Sequence, residues 1–299
     1  MFRAWLQLLR LPNLFTVPGD PIVGFLLACG LAHQGVSFLD GRVAFAVVAS
    51  LCLYSAGLVM NDLFDLAEDR RDRPKRPLPS GQVPVSHAWV VIVVLGVLGI
   101  AAMYAVARMP GAKSAAALLC GVALYNGATK HIPLIGAVNM GLCRGLSVML
   151  GAVAFHGRFW PQEGLVITAA VIITTYIAAV TNLARHETKT TSPALARFLP
   201  PVVLLLAFLL FNARLPFLAS PATTGLAIAL TLSAVEVGRL AQKIPSPLPP
   251  VIGGLIRVLL VIQAALCVVF PSPHAWTAAA VLVLAVPTAR HFGKRFYAS

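Results

Sequence analysis

The sequence is poor in charge. Only 11% of its 299 residues are Asp, Glu, Lys or Arg, and the acids number ten against 23 Lys and Arg. A soluble globular domain carries roughly a quarter charged residues, so a water-facing fold is excluded by composition alone. A mean hydropathy of +0.85 with 59% hydrophobic residues makes lipid the solvent. Polar linkers and composition shifts are also missing, so residues 1–299 read as a single helical-bundle domain. Cysteine forms neither a disulfide framework nor a metal-binding spacing. Cys29, Cys52, Cys120, Cys143 and Cys267 all fall inside apolar runs, where a small hydrophobe packs without chemistry. No signal-peptide cleavage pattern follows the N-terminal stretch, in which Arg3 and Arg10 flank Phe2, Trp5, Leu6, Leu8 and Leu9 in a basic amphipathic pattern suited to the membrane interface. The formal charge of +13 does not imply nucleic acid, because no water-facing domain large enough to fold gathers the basic residues.

What is present is a series of apolar runs, at about 14–33, 43–61, 87–107, 114–128, 132–156, 163–184, 199–213, 222–240, 250–270 and 274–289. A bilayer core obliges each backbone polar group to be satisfied within a helix or a closed barrel. Runs of about 20 residues without dyad alternation suit helices rising 1.5 Å per residue through roughly 30 Å of hydrocarbon. The expectation is an all-α, multi-pass transmembrane bundle of nine to ten helices. Sixteen of the 23 Lys and Arg fall on one side of it and five on the other. By the positive-inside rule both termini and the long loops after the second and sixth helices are cytoplasmic, in a cell inner membrane.

Half of all the acids lie in eleven positions: Asp62, Asp65, Glu68, Asp69 and Asp72. If the second helix runs past the membrane edge, Asp62, Asp65 and Asp69 share one face, where like charges repel. A divalent cation removes that repulsion, and carboxylate oxygens suit Mg²⁺, which also takes substrate phosphate oxygens. Asn61 can add an amide ligand or orient a carboxylate. Arg70, Arg71, Arg73, Lys75 and Arg76 follow, and then Pro77-Leu78-Pro79-Ser80-Gly81, a stiff turn that would fold the basic stretch back over the acids. Guanidinium forks match phosphate oxygens. The competing account is a solvated loop whose arginines meet anionic lipid, and it leaves the acids unexplained.

These residues resemble the UbiA superfamily of intramembrane prenyltransferases. Asn61-Asp62-x-x-Asp65-x-x-x-Asp69, followed by Arg73-Pro74 and Arg76-Pro77-Leu78-Pro79-Ser80-Gly81, is similar to that family's first Asp-rich signature. Arg10-Leu11-Pro12-Asn13 resembles its Arg-Pro-x-Asn opening, and Tyr125 with Lys130 resembles its Tyr-x-x-x-Lys element with one extra residue. The resemblance implies Mg²⁺ on Asp62, Asp65 and Asp69, with Asn13, Asn61, Arg73, Arg76, Tyr125, Lys130 and Arg144 about the diphosphate or substrate. The family's second acidic motif corresponds to Thr181–Lys189, where Glu187 is the single acid; Glu187 is then the candidate for a second metal, with Asn182 and Arg185 beside the substrate. Asn139–Gly145 and Tyr176–Thr181 look like the EboC-type branch, which implies a bacterial inner-membrane protein tied to a small biosynthetic and export gene set.

Charges inside the apolar runs are costly unless paired or facing a cavity. Asp20, Arg144, Glu236 and Arg257 are in that position. Arg144 is either a site residue or one half of a structural ion pair, and Glu236 with Arg257 is expected to pair across neighbouring helices. The activity implied is Mg²⁺-dependent transfer of an isoprenyl group from a prenyl diphosphate to a lipophilic or aromatic acceptor, with Tyr125 or Tyr176 facing the developing cation and membrane lipids around the bundle. Two alternatives share the fold: a carrier for a phosphorylated lipophile, and an intramembrane terpene cyclase.

Overall fold

A computed structural model describes residues 2–32, 40–159, 163–185, 194–214, 219–242 and 248–296. Among them the only regular structure is helical: α1 (Phe2–Leu8), α2 (Leu11–Leu14), α3 (Gly19–Leu31), α4 (Gly41–Phe64), α5 (Leu66–Asp72), α6 (Val85–Leu124), a π-helical turn (Tyr125–Thr129), α7 (Ile135–His156), α8 (Gly164–Ala184), α9 (Ala194–Arg214), α10 (Ala219–Gln242), α11 (Leu248–Cys267) and α12 (Pro273–Phe296). Nine helical stretches among the described residues are long and apolar enough to cross a membrane.

The longest of the nine is two arms. As a straight rod the 40 residues of α6 would reach about 60 Å, twice the hydrocarbon thickness. Ala107 (φ −129°, ψ 15°) and Arg108 (φ 50°, ψ −136°) leave helical geometry. A Cβ on Gly96 would sit 3.2 Å from Leu119, yet on an unbroken helix those residues would be about 35 Å apart. The chain therefore doubles back at Arg108, and the third and fourth apolar runs are the antiparallel arms of one hairpin. The second arm is longer than the run 114–128 suggested, because it starts directly after Arg108 and ends with the π turn at Thr129.

Helices meet where side chains are missing. A Cβ on Gly24 would lie 1.9 Å from the Val148 carbonyl oxygen, and one on Gly151 would lie 1.9 Å from that of Pro21. This reciprocal contact brings α3 and α7 backbone to backbone, the small-residue packing that substitutes for hydrophobic drive in lipid. Gly141 and Gly145 do the same for α7 against Thr174 and Ala170 of α8. A second apolar cluster seats the amphipathic α1: Ala4 and Leu8 pack with Val59, Met60, Leu63, Leu78 and Val83. That cluster pins the turn after the basic stretch.

The two ends of the bundle differ in charge. One gathers Arg10, the segment 62–76, Lys130 and Arg185 through mutual contacts. At the other end Asp40 caps α4 by accepting from the Arg42 backbone N–H at 2.9 Å, and the Arg42 side chain, hydrogen-bonded to the same carboxyl, holds it below the usual carboxylate range. Glu236 accepts from Arg239 at 2.7 Å on its own helix and also packs over Gly254, one turn from Arg257.

Candidate active site

α4 does not run on as one rod. It ends at Phe64; Asp65 sits at φ −86°, ψ 0°, and α5 starts at Leu66. The break is shallow, since the Asp65 N–H still reaches the Asn61 carbonyl at 3.0 Å and the Asp69 N–H reaches that of Asp65 at 2.8 Å. The expected division of the acids follows: Asp62 and Asp69 are buried and Asp65 half-buried, while Glu68 and Asp72 face outward.

Each inward aspartate holds its own basic partner. Asp62 Oδ1 accepts from Arg10 Nη2 at 2.9 Å. Asp65 pairs with Lys130. Asp69 accepts from Arg76 Nη1 at 2.7 Å and has Arg73 Nη1 at 3.8 Å. The Pro77–Ser80 turn thus returns the basic stretch over the acids, as its stiffness suggested. Arg10 reaches Asp62 because it adopts a left-handed conformation (φ 43°, ψ 56°) between α1 and α2, which costs a non-glycine residue roughly 1–2 kcal/mol. The sequence pointed to Asn13 in this opening; the side chain that lines the cavity is Arg10, and Asn13 lies outside that lining.

Lys130 is delivered by the π turn. Its N–H bonds to the Tyr125 carbonyl five residues back, at 2.9 Å. On an α-helix a residue five positions on is rotated by about 140°, so the wider turn absorbs the extra residue between Tyr125 and Lys130 and keeps both toward the site. Asn139 fixes the turn by donating to Thr129 Oγ1 at 2.9 Å. Arg185, expected beside the substrate, donates through Nη1 and Nη2 to the carbonyls of Ile132 (2.7 Å) and His131 (3.0 Å), so it pins the loop carrying Lys130. Asn182 lies near the end of α8, outside the cavity lining. Glu187 lies outside the described residues.

Behind this mouth is a cavity of about 110 Å³. Arg10, Asn61 and Tyr125 line its outer part; Leu58, Leu118, Val122 and Met140 form an apolar middle; Tyr54, Ser50, Ser147, Asp20 and Arg144 line the inner part. Arg144 is buried, with Nε 2.7 Å from Asp20 Oδ2 and Nη2 donating to the Thr16 carbonyl at 2.7 Å. Gln263 donates to the same carbonyl at 2.9 Å and to Asp20 Oδ1 at 2.6 Å. The reason is local: the first span breaks between α2 and α3, and a broken helix in lipid needs donors for its freed carbonyls. Arg144 therefore has a structural partner as well as a cavity wall. Its guanidinium lies over Tyr54, about 10 Å along α4 from Asn61 by helical rise, so it faces the inner part of the cavity and not its mouth. Tyr176 is fully buried and donates to the Leu255 carbonyl at 2.8 Å, outside the cavity lining.

The donor set suits a hard cation. Asp62, Asp65 and Asp69 offer only oxygen, and each carboxylate is balanced by a cation that is itself a good phosphate ligand. No three acidic, imidazole or thiol groups among the described residues converge as a preformed cage. That arrangement fits Mg²⁺, which takes one or two carboxylates and completes its shell with water and phosphate oxygens.

A multi-helical membrane bundle with an acidic and basic mouth over an internal cavity defines the class of protein. The model of the UbiA prenyltransferase family matches residues 22–244, and the chain belongs to that family. It is 30% identical over 182 residues to the digeranylgeranylglyceryl phosphate synthase of Methanosarcina mazei, covering 58% of this chain and 62% of that protein. The chain spans between a third and about three fifths of the length of the first such curated relatives. Two solved structures share the fold. A UbiA homologue from Aeropyrum pernix aligns over 85% of this chain and 96% of its own, with a TM-score of 0.65 and 20% identity. A UbiA homologue from Archaeoglobus fulgidus, bound to DMAPP and Mg²⁺, aligns over 86% and 98%, with a TM-score of 0.59 and 14% identity.

Proposed function

We propose that this protein is a Mg²⁺-dependent intramembrane prenyltransferase that moves an isoprenyl group from a prenyl diphosphate to a lipophilic acceptor. The observation that carries this reading is the pairing at the mouth: three aspartates, each held by Arg10, Lys130 or Arg76, over an apolar cavity. Mg²⁺ held by Asp62, Asp65 and Asp69 would offset diphosphate charge and make the diphosphate a better leaving group. Arg10, Lys130, Arg73 and Arg76 turn from the carboxylates to the diphosphate oxygens, so that no charge is left unpaired when the substrate enters. Leu58, Leu118, Val122 and Met140 hold hydrocarbon and exclude water from the reacting carbon. The Tyr125 ring, beside Arg10 in the lining, is placed to face charge developing on the allylic carbon.

The acid-rich mouth belongs on the cytoplasmic side of a cell inner membrane, since the excess of Lys and Arg lies at that end. Asn139–Gly145 and Tyr176–Thr181 support a place in the EboC-like branch, and the curated relatives named above support transfer to a glyceryl phosphate type of acceptor. The test is pyrophosphate release from labelled isoprenyl diphosphates by purified protein, with and without Mg²⁺, with lipid products followed separately. Release that needs Mg²⁺ and Asp65 is the expected result. Tight binding across chain lengths with no release, even with membrane extracts as acceptors, would replace transfer with a carrier role.

A further inference from the structure

A groove of about 350 Å³ runs between α9 and α10 and shares no residue with the cavity behind the mouth. Half-buried Arg197 stands at one end of it, and the rest of the lining is apolar as far as Leu205 and Leu230. Small residues on α10 open the gap. Ala234 and Gly238 lie one turn apart, and a Cβ on Gly238 would meet nothing within 4 Å, whereas the space at Gly24 and Gly151 is filled by the backbone of a neighbouring helix. The depth of the groove is informative. The two spans are Ala196–Ala213 and Pro221–Leu240, so Arg197 and Gly238 lie at the membrane edge while Leu205 and Leu230 stand at the midpoints. Arg197 to Leu205 is a rise of about 12 Å, against about 15 Å for half of the hydrocarbon core. A helix from a second copy or another protein would cross the full roughly 30 Å and would not be served by a groove that stops halfway. A lipid chain ends there.

We propose that this groove binds an anionic phospholipid, its phosphate on Arg197 and one acyl chain laid between α9 and α10 as far as Leu205 and Leu230. Guanidinium forks match phosphate oxygens, and basic residues at the membrane edge draw anionic lipid. A zwitterionic headgroup would set its own cation beside the guanidinium, so net negative charge is selected. The lipid belongs to the leaflet on the mouth side. α8 finishes at that side, where Arg185 holds the loop carrying Lys130, and the chain re-enters the membrane at the start of α9.

The test places the full-length protein in phosphatidylcholine vesicles that contain a trace of either phosphatidylglycerol or phosphatidylcholine with a photoreactive diazirine at mid-chain, and maps the labelled residues after irradiation. Residues 202–205 and 230–234 should be labelled about fivefold more by the phosphatidylglycerol, the preference that one basic residue near the surface confers. Arg197→Gln should bring the two lipids level. Gly238→Leu, whose side chain enters open space on a helix that gains from losing a glycine, should lose labelling by both lipids at these positions. Melting curves of both variants separate lost folding from lost binding. Labelling no stronger here than at exposed Val93 and Val97 of α6, equal yields from the two lipids in wild type, a preference that survives Arg197→Gln, or labelling that Gly238→Leu leaves in place overturns the proposal. So does competition by a prenyl diphosphate, which would make the groove a substrate site.

Discussion

Deleting Ala128 should leave the donor site working, although losing one residue from a membrane helix ordinarily rotates everything after it by about 100°. Gly127 and Ala128 are exposed, while Asn126 and Thr129 on either side are buried, so the deletion removes a residue from the outer surface of the π turn. The Lys N–H would then bond four residues back to Tyr125 in a regular α turn, with the lysine about 40° from Tyr125 instead of the roughly 140° that five α-helical steps would give. Lys130 contributes a charge-assisted contact worth about 1.5–3 kcal/mol, so Lys130→Ala should weaken binding of a non-reactive prenyl thiodiphosphate by about 10- to 150-fold. The Ala128 deletion should cost about threefold or less. Inserting an alanine after Gly127 should cost as much as Lys130→Ala, because a second extra residue exceeds what one π turn absorbs. Equilibrium binding of labelled thiodiphosphate to the four proteins decides the matter. A deletion as damaging as Lys130→Ala would refute the view that the π turn exists to hold register.

Asp65→Asn should abolish Mg²⁺-dependent pyrophosphate release while shifting the melting temperature by little, because this half-buried carboxylate contributes little packing. Arg144→Met should cost about 3–5 kcal/mol by leaving Asp20 buried without its cation, and Asp20→Asn added to it should recover most of that, as read from melting in detergent. Gly151→Ala should lower thermal stability by an amount equivalent to about 1–3 kcal/mol, because its Cβ would lie 1.9 Å from the Pro21 carbonyl oxygen and must push α3 and α7 apart.

The bundle was legible because lipid leaves so few options. Run lengths gave the helices, and the basic residues gave the two ends. The hairpin within α6 was legible as the gap between the runs 87–107 and 114–128, while the position of its turn was not, since Arg108 takes a positive φ where no glycine marks the spot. Asp62, Asp65 and Asp69 were legible from spacing, and the return of Arg73 and Arg76 from the proline turn that forces it. Arg10 was missed because its role depends on its own left-handed conformation (φ 43°, ψ 56°), which sequence does not announce. The carbonyl contacts of Arg185 were not legible, because a guanidinium that caps carbonyls and one that binds phosphate look alike in sequence.

The central claim is that basic side chains occupy the aspartates until metal and diphosphate arrive together and exchange partners with them. Binding of Mn²⁺ in place of Mg²⁺, followed by electron paramagnetic resonance with and without prenyl thiodiphosphate, measures that directly. Mn²⁺ alone must displace Arg10, Lys130 and Arg76 from their carboxylates, and diphosphate alone must draw those cations off buried acids, so each should bind weakly by itself. Together they should strengthen one another by the same factor, about tenfold or more. Mn²⁺ that binds equally well with and without the thiodiphosphate would contradict the account.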